Sequence, residues 1–204
     1  EVEIIDGETR QKHTFKAKII FLCASTVPST SILMQSTSNR FPNGLGNDSG
    51  ELGHNIMDHH LSVAASAKIE NYKEKYDKGR RPGGIYIPRF RNIGGNSNSK
   101  DFIRGYGYQG GAWRNSMSEV VAELKYGPKL KEAILKPGGW RIGVTGFGET
   151  LPDHNNKMYL DYDKLDEWGL PTVTFDADFG ENELAMRKDM KDQAVKMFKS
   201  AGYK

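Results

Sequence analysis

The sequence predicts an α+β fold in which a mostly antiparallel sheet is flanked by helices, and three observations support this prediction. Between residues 61 and 178, short segments rich in aromatic and β-branched residues alternate with turn residues, which is typical of antiparallel strands. Residues 181–201 carry an apolar stripe at helical spacing. Residues 15–24 end in an apolar run, Ile19–Ala24, that leads directly into a helical pattern, which indicates a separate strand–helix unit.

Residues 1–37 form the predicted strand–helix unit. "VEII" and the polar stretch after Asp6-Gly7 predict a β-hairpin, because Asp-Gly is a strong turn signal. "FKAKIIFLCA", residues 15–24, ends as a continuous apolar run and predicts a strand covered on both faces. "STVPSTSILMQS" places Ser, Thr and Pro where a helix would start, and it predicts a helix that ends near Thr37.

The segment 49–60, "SGELGHNIMDHH", contains three of the five histidines of the chain. Adjacent residues in extended backbone point to opposite faces, so His59 and His60 are poorly placed to share one metal ion. His54 and His59 do not have the four-residue spacing of zinc-binding helices. The spacing therefore predicts no metal site in this segment.

Beyond His60, predicted strands follow one another along the chain. They fall on "LSVAASAKI", "GGIYIPRF", "DFIRGYGYQGGAW", "GWRIGVTGFGETL", "KMYLDYD" and "PTVTFDAD". Pro88 assigns the second of them to a sheet edge or a bulge, because proline cannot donate a ladder hydrogen bond. The polar stretch 92–100, "NIGGNSNSK", predicts a hairpin loop.

Two helical regions accompany these strands. The first is predicted at 118–126 and 128–135, with a break at Gly127-Pro128. The second is predicted at 181–201, where Asp178 with Glu181 resembles a capping box and Gly202 suits the C-terminal cap. The predicted core face of this second helix consists of Leu184, Met186, Met190, Ala194, Met197 and Ala201.

Composition and missing motifs argue against several classes of function. Lys and Arg number 29 against 26 Asp and Glu, and a net charge of +3 is too small to indicate a nucleic-acid partner. The longest apolar run is too short to span a membrane, and the single Cys23 excludes an internal disulfide. G-x-S-x-G, a P-loop and a G-x-G-x-x-G after a strand are all absent from the sequence.

Aromatic residues recur on two predicted strands. They either belong to the core or form platforms for a sugar, and the core is the commoner outcome. "GYGYQGG", residues 105–111, indicates either an ordinary strand or one that lets a backbone or a ligand approach closely. The aromatic residues in question are Tyr106, Tyr108, Trp113, Trp140 and Phe147.

Three stretches of the sequence share a pattern with a known family. "AKIIFLCASTVPSTSILMQS" runs from a strand through a Ser/Pro turn into a helix with paired aliphatic residues. "NDSGELGHNIMDHH" follows the pattern N-S-S-G-x-V-G-x-N-L-x-D-H, and "GFGETLPDHNNKMYLDYDKLDEWGLPTVTFDAD" carries G-E-x-L-P and W-G-x-P. In this order, and over nearly the whole chain, they resemble the glucose–methanol–choline (GMC) oxidoreductases.

The resemblance implies a fragment of a larger flavoenzyme. GMC proteins bind FAD and oxidise alcohol groups, often on sugars, and they join a Rossmann-like FAD domain to a substrate domain with a large antiparallel sheet. On this basis residues 1–57 are the closing part of the FAD domain, and residues 58–204 are most of the substrate domain. The family's dinucleotide fingerprint and catalytic histidine do not occur in this sequence, so we expect the fragment alone to be inactive and without FAD.

The same resemblance implies roles for individual residues. Cys23, Ala24, Ser25 and Asn55 would lie near the FAD. Ser25 stands where the family pattern has glycine, and its Cβ would crowd a cofactor that approaches the backbone. His59 would face the active site and support catalysis.

The expected site is completed by Asp58, Gln109 and Glu149. Asn55 and Asp58 would hold the crossover loop through side-chain hydrogen bonds. Gln109 and Glu149, on glycine-rich strands, are either substrate contacts or ordinary surface residues.

Two other functions stay open at this point. One is a carbohydrate-binding module without redox activity that uses Tyr106, Tyr108, Trp113 and Trp140 as platforms, and the other is an interaction domain without a ligand. For the oxidoreductase, the expected partner is a small-molecule alcohol or sugar, with neither nucleic acid nor a membrane span. The electron acceptor is open, and a soluble cytoplasmic or periplasmic protein of a bacterium is expected.

Overall fold

The computed structural model describes residues 1–70, 72, 84–114, 126–128, 130–131 and 138–203. Every strand pair in these residues is antiparallel, and two long helices accompany the strands, which confirms the predicted α+β class. A short 3-10 helix, Gly95–Ser97, lies in the predicted loop. The strands and helices are β1 (Val2–Ile5), β2 (Lys12–Phe15), α1 (Thr26–Gln35), β3 (His60–Ile69), β4 (Gly84–Ile87), β5 (Tyr106–Arg114), β6 (Trp140–Gly148), β7 (Lys157–Leu165), β8 (Pro171–Asp176) and α2 (Glu181–Ser200).

The chain divides into two compact units. The first unit comprises Glu1–Met57 and Pro152–Asp178, and it contains the hairpins β1–β2 and β7–β8 together with α1. The second unit comprises Asp58–Leu151 and Phe179–Lys204, and it contains the four-stranded sheet and α2.

The predicted hairpin β1–β2 is present in the first unit. In its turn, the Asp6 carboxylate accepts hydrogen bonds from the backbone N–H groups of Thr9 (2.6 Å) and Glu8 (3.0 Å), and these bonds lower the pKa of Asp6. From the same turn, the Arg10 guanidinium donates to the Glu167 backbone oxygen at 2.5 Å. The turn of one hairpin is thereby tied to the turn of the other.

The strand predicted at 15–24 is absent beyond Phe15, which corrects the prediction. No strand in the described part of the chain pairs with the rest of this run, residues 16–24. Its side chains are exposed, with Ile19 at 71% and Phe21 at 84%. A strand needs a hydrogen-bonding neighbour, and hydrophobicity along one segment cannot provide it. The helix predicted directly after the run is present as α1.

The loop 49–57 is bound closely to the start of β7. The Met158 N–H donates to the Gly53 oxygen at 2.8 Å, and the Ile56 N–H donates to the Asn156 oxygen at 3.0 Å. Gly53 has φ +89°, and a Cβ there would lie 2.7 Å from the Met158 oxygen. Only glycine therefore allows the loop to approach this closely.

The second unit is built on a four-stranded sheet with the order β3-β6-β5-β4. β4 is an edge strand and ends just before Pro88, as the proline predicts. The predicted helical region at 118–126 and 128–135 lies outside the described residues, except at 126–128 and 130–131.

α2 packs on one face of this sheet, and the buried residues of the second unit lie between them. Tyr108, Met186 and Met190 are fully buried there. The predicted core face of α2 is wrong at two positions, because Leu184 is 57% exposed and Ala201 is exposed. Phe198 takes their place, since it follows Met190 and Ala194 at four-residue steps. We call the opposite side of the sheet, which presents exposed Gln109, the open face.

Of the two caps predicted for α2, the N-terminal one is wrong and the C-terminal one is confirmed. The proposed capping box of Asp178 with Glu181 is wrong, because the helix begins after Gly180 and the Glu183 carboxylate accepts the Gly180 N–H at 3.1 Å. Gly202 has φ +81° directly after the cap residue, which confirms the predicted C-terminal glycine.

An ion-pair network joins α2 to the sheet. The Arg91 guanidinium contacts both carboxylate oxygens of Asp189 at 2.8 Å, and the Tyr106 hydroxyl donates to the same carboxylate at 2.5 Å. Burial alone would raise the pKa of Asp189, but these hydrogen bonds outweigh it and lower that pKa. Burial is also the main cause of the raised pKa of Tyr106.

We expect Gly110→Ala to destabilise the protein by about 3 kcal/mol, because overpacking against rigid backbone is costly. A Cβ on Gly110 would lie 2.0 Å from the Gly143 backbone oxygen. Gly84→Ala is the matched control on the neighbouring strand, because the nearest atom to a Cβ there is 3.9 Å away. Urea unfolding should show a loss for the first variant and a change within about 0.5 kcal/mol for the second. Equal effects would contradict this account.

Candidate functional site

The two adjacent histidines at the start of β3 point to opposite sides, as predicted. His60 is fully buried, whereas the His59 side chain is 69% exposed. A bulge between His60 and Val63, with Ser62 at φ +71°, inserts one extra residue into β3. Because side chains alternate along a strand, this extra residue places His60 on the side of Val63, facing α2.

His60 is a buried residue that the sequence did not single out as functional. Its Nε2 lies 2.7 Å from the Glu149 backbone oxygen and donates to it, which leaves Nδ1 as an acceptor. Within the described residues, Nδ1 has no hydrogen-bond partner although it is buried. Burial is the main cause of the lowered pKa of His60, with the nearby charges of Glu183 and Arg187 acting in opposite directions. His60 is therefore neutral near pH 7.

His59 is held at the edge of the open face by its neighbours. The Asp58 carboxylate accepts the His59 backbone N–H at 2.6 Å and lies 3.2 Å from the His59 Nδ1. The hydrogen bond from the His59 N–H is the main cause of the lowered pKa of Asp58. The His59 ring meets the Phe147 ring edge-on, with 6.5 Å between ring centroids.

Glu149 lies one residue beyond β6 and is paired with arginines. Its carboxylate is 3.1 Å from Arg89 Nη1 and 4.0 Å from Arg104 Nε. Its N–H donates to the Gly105 oxygen at 3.3 Å, and the next residue, Thr150, donates its hydroxyl to the Asp58 backbone oxygen. Sequence reasoning missed Arg89, which no local motif marks. Whether Glu149 contacts a substrate stays a prediction.

Gln109 lies on the open face, in a cross-strand row with Tyr86 and Thr145. It is exposed, and it sits one row away from Phe147, which contacts His59. The structure thus brings His59 and Gln109 to one face of one sheet. Tyr106 and Tyr108 face α2 instead, with exposures of 2% and 0%, so they are not sugar platforms.

The residues expected near FAD belong to the first unit. Cys23, Ala24 and Ser25 are exposed and directly precede α1. Ser25 has φ +71° and ψ 170° and makes no side-chain capping bond, so the first N–H groups of α1 lack that cap. This conformation favours glycine, so a serine is strained there.

Asn55 holds the loop in the predicted way. It has φ +57°, a conformation that asparagine tolerates better than most residues, and its side-chain amide donates to Glu51 at 3.0 Å. In the same loop, the His54 ring stacks on the His154 ring with centroids 4.0 Å apart. His54 Nδ1 also lies 2.7 Å from the His154 backbone oxygen.

Among the residues that the structure describes, no group of three or more His, Cys, Asp and Glu side chains is arranged to hold a metal ion. Nor does any helix in the described ranges have the length and apolar character needed to cross a membrane.

Comparison with known proteins finds two dehydrogenases. The chain is 30% identical over 187 residues to a 2-methyl-1,2-propanediol dehydrogenase of Mycolicibacterium austroafricanum. The aligned region covers 89% of this chain and 33% of that protein. It is 27% identical over 174 residues to a fructose dehydrogenase large subunit of Gluconobacter japonicus, and this second alignment covers 84% of this chain and 31% of that protein.

The chain therefore spans about a third of the length of these two relatives. No protein-family model matches it. The similarity to two named dehydrogenases is consistent with an oxidoreductase.

We expect the stability of the protein to fall between pH 7 and pH 5 because of His60. The unfolded chain takes up a proton on this residue near pH 6.5, whereas the folded state resists it because the pKa is lowered by burial. The contribution of His60 to the free energy of unfolding is complete above pH 6.5. It is lost as the pH falls towards the pKa of His60 in the folded state, with a slope of at most about 1.4 kcal/mol per pH unit.

The measurement is the free energy of unfolding at several pH values for the parent and two variants. His60→Gln should flatten the slope between pH 7 and pH 5, whatever its effect on absolute stability. His59→Gln, at an exposed position, is the control and should keep the parental slope. A slope that is the same in all three proteins would contradict this prediction.

Proposed function

We propose that the complete protein is an FAD-dependent oxidoreductase of the GMC family that oxidises an alcohol group of a sugar or a small polyol. In this proposal residues 1–57 belong to its FAD domain and residues 58–204 to its substrate domain. The observation that carries the proposal is the alignment of most of the chain with two dehydrogenases whose names specify a diol and a sugar.

The position of His59 and Gln109 supports a substrate site on the open face. Both side chains are exposed, and both lie beside residues of β6 that face the same side of the sheet. An imidazole and an amide exchange hydrogen bonds with neutral hydroxyl groups, which suits an alcohol substrate better than an ion. The Glu149 carboxylate, at the same edge, is paired with Arg89.

The residues that would hold FAD in this chain fit such a group. The exposed segment 23–25 leads into the N-terminus of α1, whose N–H groups receive no side-chain cap, and such groups bind phosphate or carbonyl oxygens. Bound FAD would supply the acceptor for a hydride from the carbon that bears the hydroxyl. His59 and Gln109 would orient that hydroxyl, and in this proposal the principal catalytic base is supplied by a residue outside this chain.

A carbohydrate-binding module without redox activity is the second candidate. It loses two of its four proposed platforms, because Tyr106 and Tyr108 are buried. Trp113, which is 43% exposed on the open face, still suits it. The two candidates differ in one property, the presence of a redox cofactor.

The purified complete protein should contain flavin and oxidise alcohols. We expect the visible absorbance of bound FAD and its bleaching when a hexose or a C4 diol is added without oxygen. Reduction of an artificial dye measures turnover. A complete protein that refolds with added FAD but neither retains it nor reduces the dye would overturn the proposal in favour of the binding module.

His59→Ala should lower kcat about tenfold while the FAD content stays at the parental level, because the residue orients substrate and does not hold the cofactor. His13→Ala, at an exposed histidine on β2, is the matched control and should change neither quantity. Flavin absorbance and dye reduction measured on the same samples separate the two effects. Parental turnover, or loss of FAD, in His59→Ala would count against this role.

A further inference from the structure

The open face of the second unit contains a depression of about 250 Å³. It lies across β3, β6 and β5, and it adjoins Gln109, whose cross-strand partner Thr145 lines it. Most of the side chains around it are very small. The lining residues are Ala64, Ala65, Ser66, Gly110, Gly111, Trp113, Gly143, Val144 and Thr145.

The depression exists because small residues meet in register. Gly143 on β6 pairs with Ser66 on one side and Gly111 on the other, so one row across the sheet has no side chain larger than a hydroxymethyl group. Antiparallel sheets usually carry β-branched or aromatic pairs in such rows. The close approach of α2 explains glycines on the other face, but it does not explain this row, which faces away from the helix.

Trp113 forms one wall of the depression and leans over Gly143. A Cβ on Gly143 would lie 2.5 Å from the Trp113 Cη2, so glycine is what lets the indole lie against the sheet. The indole is nevertheless 43% exposed. An aromatic ring that is held from below and open above presents an apolar surface to a ligand.

The chemistry of the lining selects the ligand. None of the lining side chains is ionisable, and the hydroxyls of Ser66 and Thr145 supply the polar contacts. A neutral ligand with one apolar face and several hydroxyl groups matches this combination. The volume is below the ~300–1,000 Å³ of sites for drug-sized molecules, which suits a single ring.

We propose that this depression binds a monosaccharide ring, with its apolar face against Trp113 and its hydroxyl groups towards Ser66 and Thr145. The inference rests on the proposed function and narrows its substrate from a sugar or a small polyol to a sugar. A C4 diol has no flat face for the indole and fills less of the space, so the depression distinguishes the two classes of substrate.

The experiment uses the complete protein and measures binding separately from turnover. Equilibrium dialysis with labelled hexoses, D-glucose and D-fructose among them, gives Kd without any need for catalysis. Trp113→Ala removes the wall, and Ala64→Phe fills the depression from an exposed position of β3. Tyr86→Ala is the matched control, because it removes a 70% exposed aromatic residue of the same face that does not line the depression.

We expect the Kd of the bound hexose, and its KM where there is turnover, to rise about tenfold or more in Trp113→Ala and Ala64→Phe. Tyr86→Ala should leave both unchanged, and the KM of a C4 diol should stay within about twofold in all variants. Thermal unfolding confirms that each variant is folded. If Trp113→Ala fails to fold, Ala64→Phe decides the question alone.

The outcomes separate this inference from the proposed function. If hexose binding is lost in Ala64→Phe and the protein has neither flavin nor turnover, the depression is a sugar site and the proposed function is overturned. If Ala64→Phe turns over with the parental hexose Kd and KM, the depression is not the sugar site and the proposed function stays intact. A parent protein that binds none of the hexoses also contradicts a sugar site in the depression.

Discussion

The second unit depends on how closely α2 approaches the sheet. Met190 is fully buried, and it occupies the space above Gly146 and Gly148 of β6. A Cβ on these glycines would lie 2.7 Å from the Met190 Sδ and 2.4 Å from its Cε, respectively. The helix reaches this distance because β6 carries glycine at alternate positions. The same alternation sends Thr145 and Phe147 to the open face, where the candidate site lies.

The close approach also brings acidic residues of α2 into the interior, and each is compensated. Glu183 is 4% exposed, and burial alone would raise its pKa. The N–H groups of Leu151 and Gly180 donate to it at 3.0 and 3.1 Å, and the pKa is lowered overall. Asp189 is compensated by Arg91 in the same way. An unpaired carboxylate at either position would cost several kcal/mol, so these contacts fix the position of the helix along its axis.

Local sequence patterns predicted most of the elements, and the failures have physical causes. Strands β3 to β8 and helix α2 follow from periodicity and turn residues that lie within each segment. The run 15–24 failed because pairing depends on a neighbour that periodicity does not specify. On α2, Phe198 was missed although it continues the four-residue steps of Met190 and Ala194, so this error was avoidable.

The site was predictable in its parts and less so in its arrangement. Alternation in extended backbone correctly predicted that His59 and His60 point to opposite sides. It did not predict which of them is buried, because that depends on an extra residue in β3. Ser62 adopts φ +71° in this bulge, and no glycine in the sequence marks the position. The ion pair between Arg89 and Glu149 joins residues far apart in sequence, so no spacing rule reveals it.

The bulge in β3 determines which of the two histidines is buried and which one contacts the Glu149 oxygen. In an unbulged β3, alternation from Val63 would turn His59 inward, towards α2. His60 would then lie on the open face, and its bond to the Glu149 oxygen would be lost. One strained serine therefore separates a neutral buried imidazole, which contacts the end of β6, from an exposed imidazole at the edge of the open face. Backbone strain of this kind persists only where the surrounding contacts hold it. The hydrogen bond between His60, two residues from Ser62, and the Glu149 oxygen is one contact that depends on this conformation.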